Sequence, residues 1–234
     1  QSPEGPQNRA LYPDLAAGDV RKPSRMMKRA MDIVGSFLAL LVFSPLFFLI
    51  STLVKLTSKG PVLFRQQRIG QYGKPFTFLK FRSMYENNDA EQHKTYVKQL
   101  IAGQAVRNGT SEGSKGVFKI VDDPRVTRIG KFLRRTSLDE LPQFWNVLVG
   151  DMSLVGPRPP ITYEVESYDL WHRRRLLEAK PGITGLWQVN GRSRVVFDEM
   201  VRLDLQYAKT WSPWLDIKIL ARTPKAMVAG EGAY

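Results

Sequence analysis

The chain has 234 residues, with 35 Lys and Arg against 22 Asp and Glu, a net charge of +13 and no cysteine. This length suffices for one sizeable domain with a hydrophobic core or for two small ones, and the charge predicts anionic partners: nucleic acid, acidic lipid or phosphorylated substrates. The lack of cysteine excludes disulfides, thiolate metal sites and a cysteine nucleophile, and two histidines are too few for a histidine-rich metal site.

The N-terminal quarter of the chain contains its one strongly hydrophobic segment. Residues 1–24 are rich in Pro, Gly and polar groups, which predicts a flexible arm. No charge then occurs from Ile33 to Val54, which would measure roughly 33 Å as a straight helix. Ser44-Pro45 interrupts this run at its middle, and basic residues flank both ends, whereas a spanning helix has its basic excess on one side. We therefore predict a re-entrant helix-break-helix over residues 25–58; a kinked spanning helix and a buried core helix are the alternatives.

A short hairpin and a polar excursion are predicted next. Val62–Phe64 and Phe76–Phe81 have the composition of strands, and the glycines from Gly70 to Gly73 are typical of the turn between them. Residues 86–116 are polar, which predicts a surface helix near 90–102 and then a loose loop.

The stretch Leu133–Arg158 contains two adjacent carboxylates before an apolar periodic run. Ser137 and Glu140 have the spacing of a capping box, and Pro142 is tolerated only near a helix start. We therefore predict that Asp139 and Glu140 lie in the first helical turn, where free amides and the helix dipole keep a carboxylate ionised and attract phosphate. The alternative is that Glu140 only caps the helix and Asp139 only complements its dipole.

The C-terminal third is mostly helical in pattern. Tyr163–Ala179 and Val195–Tyr207 are predicted helices, and Pro181–Gln188 is predicted to be a rigid loop whose glycines let the backbone approach a ligand. Trp211–Val228 alternates aromatic, aliphatic and cationic residues, which is typical of a helix in the membrane interface. An ordinary amphipathic core helix fits the same pattern.

Several motifs occur in an order that is highly specific. They are Lys28-Arg29 with Asp32 before the apolar segment, Ser44-Pro45 at its break, GPVLFRQQRIG (60–70), KFRSM (80–84), DDPRVTRIGKFLRRTSLDELPQ (122–143), GDMSLVGPRP (150–159) and KPGITGLWQVNGR (180–192). From about Lys28 to Tyr234 the chain resembles the bacterial sugar transferases, also called small monotopic phosphoglycosyl transferases or polyprenyl-phosphate hexose-1-phosphate transferases. It is most similar to the short members that initiate exopolysaccharide synthesis.

The resemblance implies a fold, a location and a reaction. The expected fold is α+β and mostly helical: a monotopic membrane protein with an N-terminal re-entrant broken helix, interfacial amphipathic helices, a small β-hairpin and a catalytic domain over residues 59–234. The expected location is the bacterial inner membrane, with this domain on the cytoplasmic face. The implied reaction moves hexose-1-phosphate from a UDP-sugar, galactose or glucose, to undecaprenyl phosphate and releases UMP.

The same resemblance assigns roles to individual residues. Asp139 and Glu140 are expected to be catalytic, with Mg²⁺ bound by this pair at the donor diphosphate. Asp139 would form a covalent aspartyl phospho-sugar, since carboxylates are known phosphoryl acceptors. Arg158 lies in a rigid Gly-Pro-Arg-Pro turn, and its planar fork suits phosphate. The weaker phosphate-binding or substrate-binding candidates, for which a surface group is the alternative, are Lys80, Arg82, Arg135, Gln188 and Arg192.

Two other classes of protein fit parts of the pattern. A nucleic-acid binder would interleave basic and exposed aromatic residues, but the apolar run from Ile33 to Val54 argues against it, so we expect no nucleic-acid partner. A membrane scaffold would use the acidic pair only as a helix cap and would turn over no UDP-sugar. The expected partners are therefore a UDP-sugar, undecaprenyl phosphate and the anionic lipids of the inner leaflet.

Overall fold

The computed structural model describes residues 22–85, 91–103, 125–191 and 195–228. Within these residues helices dominate and two small two-stranded sheets accompany them, which confirms the predicted α+β, mostly helical class. The helices are α1 Lys22–Val42, α2 Ser44–Thr57, α3 Glu91–Ile101, α4 Arg128–Thr136, α5 Gln143–Val149, α6 Thr162–Glu166, α7 Leu170–Glu178, α8 Leu186–Asn190, α9 Phe197–Thr210 and α10 Pro213–Val228. The strands are β1 Leu63–Ile69, β2 Pro75–Phe81, β3 Ser153–Val155 and β4 Gly182–Thr184.

The hydrophobic segment is a bent pair of helices. α1 and α2 meet at an angle of 61° at the position of Phe43. Pro45 lies in the first turn of α2, where a backbone N–H has no partner within the helix, so its missing N–H costs no hydrogen bond. The Ser44 hydroxyl donates to the carbonyl of Leu41 at 2.8 Å. The helix therefore breaks at Ser44-Pro45. Over the described ranges no single helix meets the length and hydropathy needed to cross a bilayer, whereas this bent pair meets them jointly.

One face of α1 is polar and packs on the rest of the protein. Arg29 donates from its two terminal nitrogens to the carbonyls of Val147 and Leu148, at 2.6 and 2.7 Å. The last carbonyls of a helix lack partners within it, so this contact closes the end of α5. The other polar contacts of α1 include those of Asp32 Oδ1, which accepts from Ser153 Oγ and Leu154 N at 2.9 Å each, and of Lys28 Nζ, which lies 2.7 Å from Asp216 Oδ2.

The other face of the bent pair is apolar and exposed. Its exposed side chains are Val34, Phe37, Leu38, Leu41 and Val42 on α1 and Phe48, Leu49 and Leu56 on α2. A contiguous apolar surface of this kind is typical of a site that another apolar phase or partner covers.

The predicted hairpin is confirmed. β1 and β2 are antiparallel, with Leu63 opposite Phe81 and Ile69 opposite Pro75, so the first strand continues well beyond the predicted Phe64. The turn includes Tyr72 and Gly73 in the left-handed region, as a tight connection requires.

The predicted loop Pro181–Gln188 is instead a strand and a helix start. β4 pairs in parallel with β3, from Ser153 opposite Gly182 to Val155 opposite Thr184, and α8 begins at Leu186. A Cβ on Gly182 would lie 2.1 Å from the nitrogen of Gly156, so the glycine serves close contact between two chain segments rather than approach to a ligand.

The helix predicted over Tyr163–Ala179 is also wrong in part, because it is two helices. α6 ends at Glu166 and α7 begins at Leu170, after an extended Asp169. The amide of Asp169 donates to Nδ1 of His172 at 3.2 Å, a side-chain cap that starts the second helix.

The remaining helices lie close to their predicted positions. α3 matches the surface helix predicted near 90–102, and the loop predicted beyond it falls outside the described residues. α9 begins and ends two to three residues later than predicted. α10 is amphipathic: Trp214 and Ile217 are exposed, Asp216 and Ile219 are buried.

Candidate active site

The acidic pair lies in a short connection between two helices. Leu138–Glu140 form a single 3₁₀ turn between α4 and α5, preceded by Ser137 in the left-handed conformation (φ 56°, ψ 18°). The amide of Glu140 donates to the carbonyl of Ser137 at 3.1 Å, and the Ser137 side chain makes no cap. The predicted capping box is therefore wrong. A left-handed Ser137 ends α4, and α5 begins only after Pro142.

The two carboxylates differ in exposure and share one cation. Asp139 is buried (6% exposed), whereas Glu140 is half-buried. Lys80 on β2 reaches both: its Nζ lies 2.8 Å from Glu140 Oε1 and 3.7 Å from Asp139 Oδ2. The structure thus brings together Lys80 and the acidic pair, three of the residues that the sequence singled out.

Burial controls the ionisation of Asp139. Loss of solvent raises the pKa of this carboxyl above its ordinary range, the positive charge of Lys80 lowers it, and the neighbouring Glu140 raises it again. Arg134 lowers this pKa as well. These influences together raise the pKa of Asp139, so the stabilisation of its ionised form expected from a helix start does not offset burial, and a three-residue 3₁₀ turn supplies little dipole.

Helix phase decides which arginine of α4 faces the acidic pair. Arg134 is half-buried and its charge acts on Asp139, whereas the predicted Arg135 is exposed. Gln143, the first residue of α5, was missed by the sequence reasoning. It is buried, and its amide nitrogen has no hydrogen-bond partner in the part of the chain that the structure describes. Gln143 follows Asp139 by four residues, a spacing that would place both side chains on one face of the helix predicted there.

Arg82 lies elsewhere. It is 5% exposed, and its Nη2 donates to the carbonyl and the hydroxyl of Ser58, at 2.7 and 2.8 Å. These contacts close the C-terminal end of α2, so the structure gives Arg82 a role in holding α2 on the hairpin rather than at the surface that a substrate reaches.

A second cationic group surrounds the Gly-Pro-Arg-Pro turn. Arg158 is exposed, and Arg68 lies buried behind it, where its Nη1 donates to the carbonyl of Pro159 at 2.7 Å and its Nε to Gln66 Oε1 at 2.9 Å. Burial and the charge of Arg158 lower the pKa of Arg68 to about 10. An anion bound between the guanidinium groups of Arg68 and Arg158 would reduce their mutual repulsion.

The ring of Phe78 connects this group to the acidic pair. The Arg68 guanidinium carbon lies 4.9 Å from the ring centroid and Lys80 Nζ lies 5.5 Å from it. Phe78 and Lys80 share a face of β2 because side chains alternate along a strand. We call Arg158, Arg68 and Lys80 the cationic arc. Arg68 is not among the phosphate-binding residues predicted from the sequence.

The last two predicted ligand-binding residues stay unassigned. Gln188 lies on α8, and its Nε2 donates to the carbonyl of Ile183 at 3.2 Å, within the turn between β4 and α8. Its role in substrate binding stays a prediction. Arg192 lies outside the described residues.

The donor set at the acidic pair is suited to Mg²⁺ only if a substrate completes it. Over the described ranges no group of three or more His, Cys, Asp or Glu side chains could hold a metal ion. Magnesium is commonly bound by one or two carboxylates together with phosphate oxygens and waters. Asp139 and Glu140 fit that smaller set, and the magnesium site stays a prediction.

Comparison with known proteins places this geometry in a family. Residues 23–230 match the family described as bacterial sugar transferase. Undecaprenyl-phosphate galactose phosphotransferase of Salmonella typhimurium is 45% identical over 217 residues, which are 92% of this chain and 43% of that protein. UDP-glucose:undecaprenyl-phosphate glucose-1-phosphate transferase of Escherichia coli is 43% identical over 223 residues, 90% of this chain and 42% of the relative. Exopolysaccharide production protein ExoY of Rhizobium meliloti is 40% identical over 217 residues, 93% of this chain and 92% of the relative.

Two of these relatives are longer proteins, of which the chain spans less than half. The third is matched over nearly its whole length. The family match covers the bent helix pair, the acidic pair, the cationic arc and all the other described elements. The chain belongs to the bacterial sugar transferase family.

Proposed function

We propose that this protein is a phosphoglycosyl transferase, which moves hexose-1-phosphate from a UDP-sugar to undecaprenyl phosphate and releases UMP, as the first membrane step of exopolysaccharide or glycoconjugate assembly. The names of the relatives support the substrates, and family membership supports the class of enzyme. The observation that carries the proposal is the buried Asp139 beside Glu140, with Lys80 against both and the cationic arc leading away from them.

The cationic arc accounts for recognition of the donor. A nucleotide-sugar diphosphate brings two negative charges toward an acidic pair, and that approach is unfavourable unless cations neutralise them. Arg158 offers an exposed planar fork to phosphate oxygens, while Lys80 is a compact charge next to the carboxylates. The arc therefore favours a diphosphate that extends from the Gly-Pro-Arg-Pro turn to Asp139.

Asp139 would act as the nucleophile. In the first step its carboxylate oxygen forms a bond to the β-phosphorus, the bond from that phosphorus to the bridging oxygen breaks, and UMP leaves. In the second step an oxygen of undecaprenyl phosphate forms a bond to the same phosphorus and Asp139 is released. Lys80 favours the ionised Asp139 that the first step needs, because its positive charge opposes the effect of burial.

Glu140 would assist rather than replace Asp139. It is more exposed than Asp139, and the charge beside it makes it a poor second nucleophile. It would orient the metal or assist the second attack. Mg²⁺ held by Asp139 and Glu140 would supply charge neutralisation at the donor diphosphate.

The acceptor is lipid-linked, which requires the site to lie at a membrane surface. The apolar face of the bent pair supports insertion into one leaflet, with the re-entrant arrangement leaving both ends on the cytoplasmic side of the inner membrane. On α4 the exposed residues Arg128, Lys131, Phe132 and Arg135 combine cations with an aromatic ring. Such cations attract anionic lipids, each contributing about 1 kcal/mol near the surface.

The test is UMP release by the purified protein from UDP-galactose, UDP-glucose and a UDP-N-acetylhexosamine, each with and without undecaprenyl phosphate. We expect multiple turnovers with UDP-galactose or UDP-glucose only when the lipid phosphate is present, and Asp139→Asn should give none. A wild-type protein that releases no UMP from any of these donors, under conditions in which it remains folded and membrane-associated, would refute the proposed function.

A further inference from the structure

Asn146 makes a pair of hydrogen bonds that the proposed reaction does not use directly. It lies on α5 and is 2% exposed. Its side-chain Nδ2 donates to the carbonyl of Thr77 at 2.8 Å, and its Oδ1 accepts from the amide of Leu79 at 3.1 Å. The two bonds bracket Phe78 on the main chain of β2 and end one residue before Lys80.

The bonds satisfy an edge of β2 that no other strand covers among the described residues. In this part of the chain β2 pairs with β1 on one side, and in an antiparallel pair alternate residues direct their amide and carbonyl groups to the other side. The groups of Thr77 and Leu79 point outward in this way. The amide of Asn146 presents one donor and one acceptor to them, as a neighbouring strand would, and it therefore fixes where β2 lies along α5.

This attachment joins the two segments that form the reaction site. α5 follows the turn that carries Asp139 and Glu140, and β2 carries Lys80. A slip of β2 by one residue would turn Lys80 to the opposite face of the hairpin, because side chains alternate along a strand. The Lys80 contacts with Glu140 at 2.8 Å and Asp139 at 3.7 Å therefore depend on the position of β2 against α5.

We propose that Asn146 is a positioning residue for phosphosugar transfer, whose two hydrogen bonds to β2 hold Lys80 against Asp139 and Glu140. This inference rests on the proposed function. Asn146 touches neither substrate nor reacting atoms in this account; it acts through Lys80.

A double-mutant cycle tests that route. We expect Asn146→Ala to lower kcat on the order of tenfold to a hundredfold in the otherwise native protein, since small misplacements of a reacting group have effects of this size. In a Lys80→Met background the same substitution should change kcat by less than about twofold, because the residue through which it acts is already absent. An equal loss in both backgrounds would overturn the inference.

A stability control and a second variant complete the design. Val201→Ala removes a fully buried side chain of α9 that belongs to a hydrophobic cluster containing no residue of β2, so its effect on kcat should be the same in the native and in the Lys80→Met background. If Asn146→Ala does not fold, Asn146→Asp enters the same cycle, since it keeps the acceptor for Leu79 and loses the donor to Thr77. A wild-type protein without UMP release would refute the proposed function and this inference with it, whereas an active wild type with an additive cycle would refute only the role of Asn146.

Discussion

The ammonium group of Lys80 lies 3.7 Å from the buried carboxylate of Asp139. This contact joins β2 of the hairpin to the connection between α4 and α5. It also sets the charge balance of the site, since Lys80 opposes the rise in the pKa of Asp139 that burial causes.

The first prediction concerns the pH dependence of turnover. In the proposed reaction only ionised Asp139 can attack phosphorus, and burial raises its pKa, so the rate should fall on acidification at a higher pH than an ordinary aspartate would give. Lys80→Met removes the largest influence that lowers this pKa. The acid limb of the kcat/KM profile should therefore move to higher pH and the maximal rate should drop. An acid limb that stays at the same pH in Lys80→Met would contradict the role of Lys80 in lowering the pKa of Asp139.

The second prediction concerns Arg158. Its exposed guanidinium should bind the donor diphosphate, and Arg158→Ala should lower kcat/KM by about 1.5–3 kcal/mol, the range of a hydrogen bond to a charged group. Circular dichroism and the unfolding temperature should not change. The matched control is Arg174→Ala on α7, an exposed arginine paired with Glu178 3.2 Å away, which should leave kcat/KM as it was. Equal kinetics for the two variants would remove Arg158 from the site.

The third prediction concerns stability rather than chemistry. Arg175 and Asp204 form a buried ion pair of 2.6 Å between α7 and α9. Burial raises the pKa of Asp204 to about 6 even beside this arginine, so desolvation outweighs the attraction. Asp204→Ala should lower the free energy of unfolding by about 3–5 kcal/mol because it leaves a buried charge unpaired.

The double variant Arg175→Met/Asp204→Leu distinguishes the net contribution of the ion pair to stability from the cost of leaving one buried charge unpaired. With both removed, the unfolding free energy should return close to the wild-type value. The same pair gives a sign for pH: Asp204 takes up a proton more readily in the folded state, so its contribution to stability is present below its ordinary pKa and is lost as pH rises through about 6. Denaturant unfolding at several pH values measures both effects.

The fourth prediction concerns topology. The chain has no native cysteine, so single cysteines can report sidedness without background. In inverted and right-side-out vesicles, Ser24→Cys and Lys59→Cys should label from the same side as Glu166→Cys at the end of α6. Lys59 is exposed, and it is a better site than Ser58, which accepts a hydrogen bond from Arg82. Opposite labelling of the first two positions would make the bent pair a spanning segment.

Local sequence signals predicted the elements whose cause is itself local. Pro45 breaks the hydrophobic helix where expected, because a proline cannot occupy a helix interior without loss of a hydrogen bond. The hairpin follows from strand composition around a glycine turn. The surface helix predicted near 90–102 and the helix predicted over Val195–Tyr207 lie within three residues of their predicted bounds.

Where the structure departs from the expectations drawn from the sequence, the cause is a contact or a backbone conformation that the local pattern does not show. The pairing of β3 with β4 joins segments far apart in the chain, so a glycine that serves that contact resembled a loop residue. Arg82 carries a charge typical of phosphate binding, but its guanidinium donates to the carbonyl of Ser58 at the end of α2. The charge of Arg134 rather than that of Arg135 acts on Asp139, and Arg134 is half-buried whereas Arg135 is exposed. The Ser137 spacing suits a capping box, yet the left-handed residue there ends one helix instead of starting another.

The most direct test of the covalent route is the intact mass of the protein after incubation with UDP-galactose or UDP-glucose and no lipid acceptor. We expect an addition of one hexose-phosphate to the wild-type protein, on a peptide that contains Asp139, its removal when undecaprenyl phosphate is added, and no addition to Asp139→Asn. An active enzyme that gains no mass under these conditions, or an Asp139→Asn variant that still turns over, would contradict the covalent route.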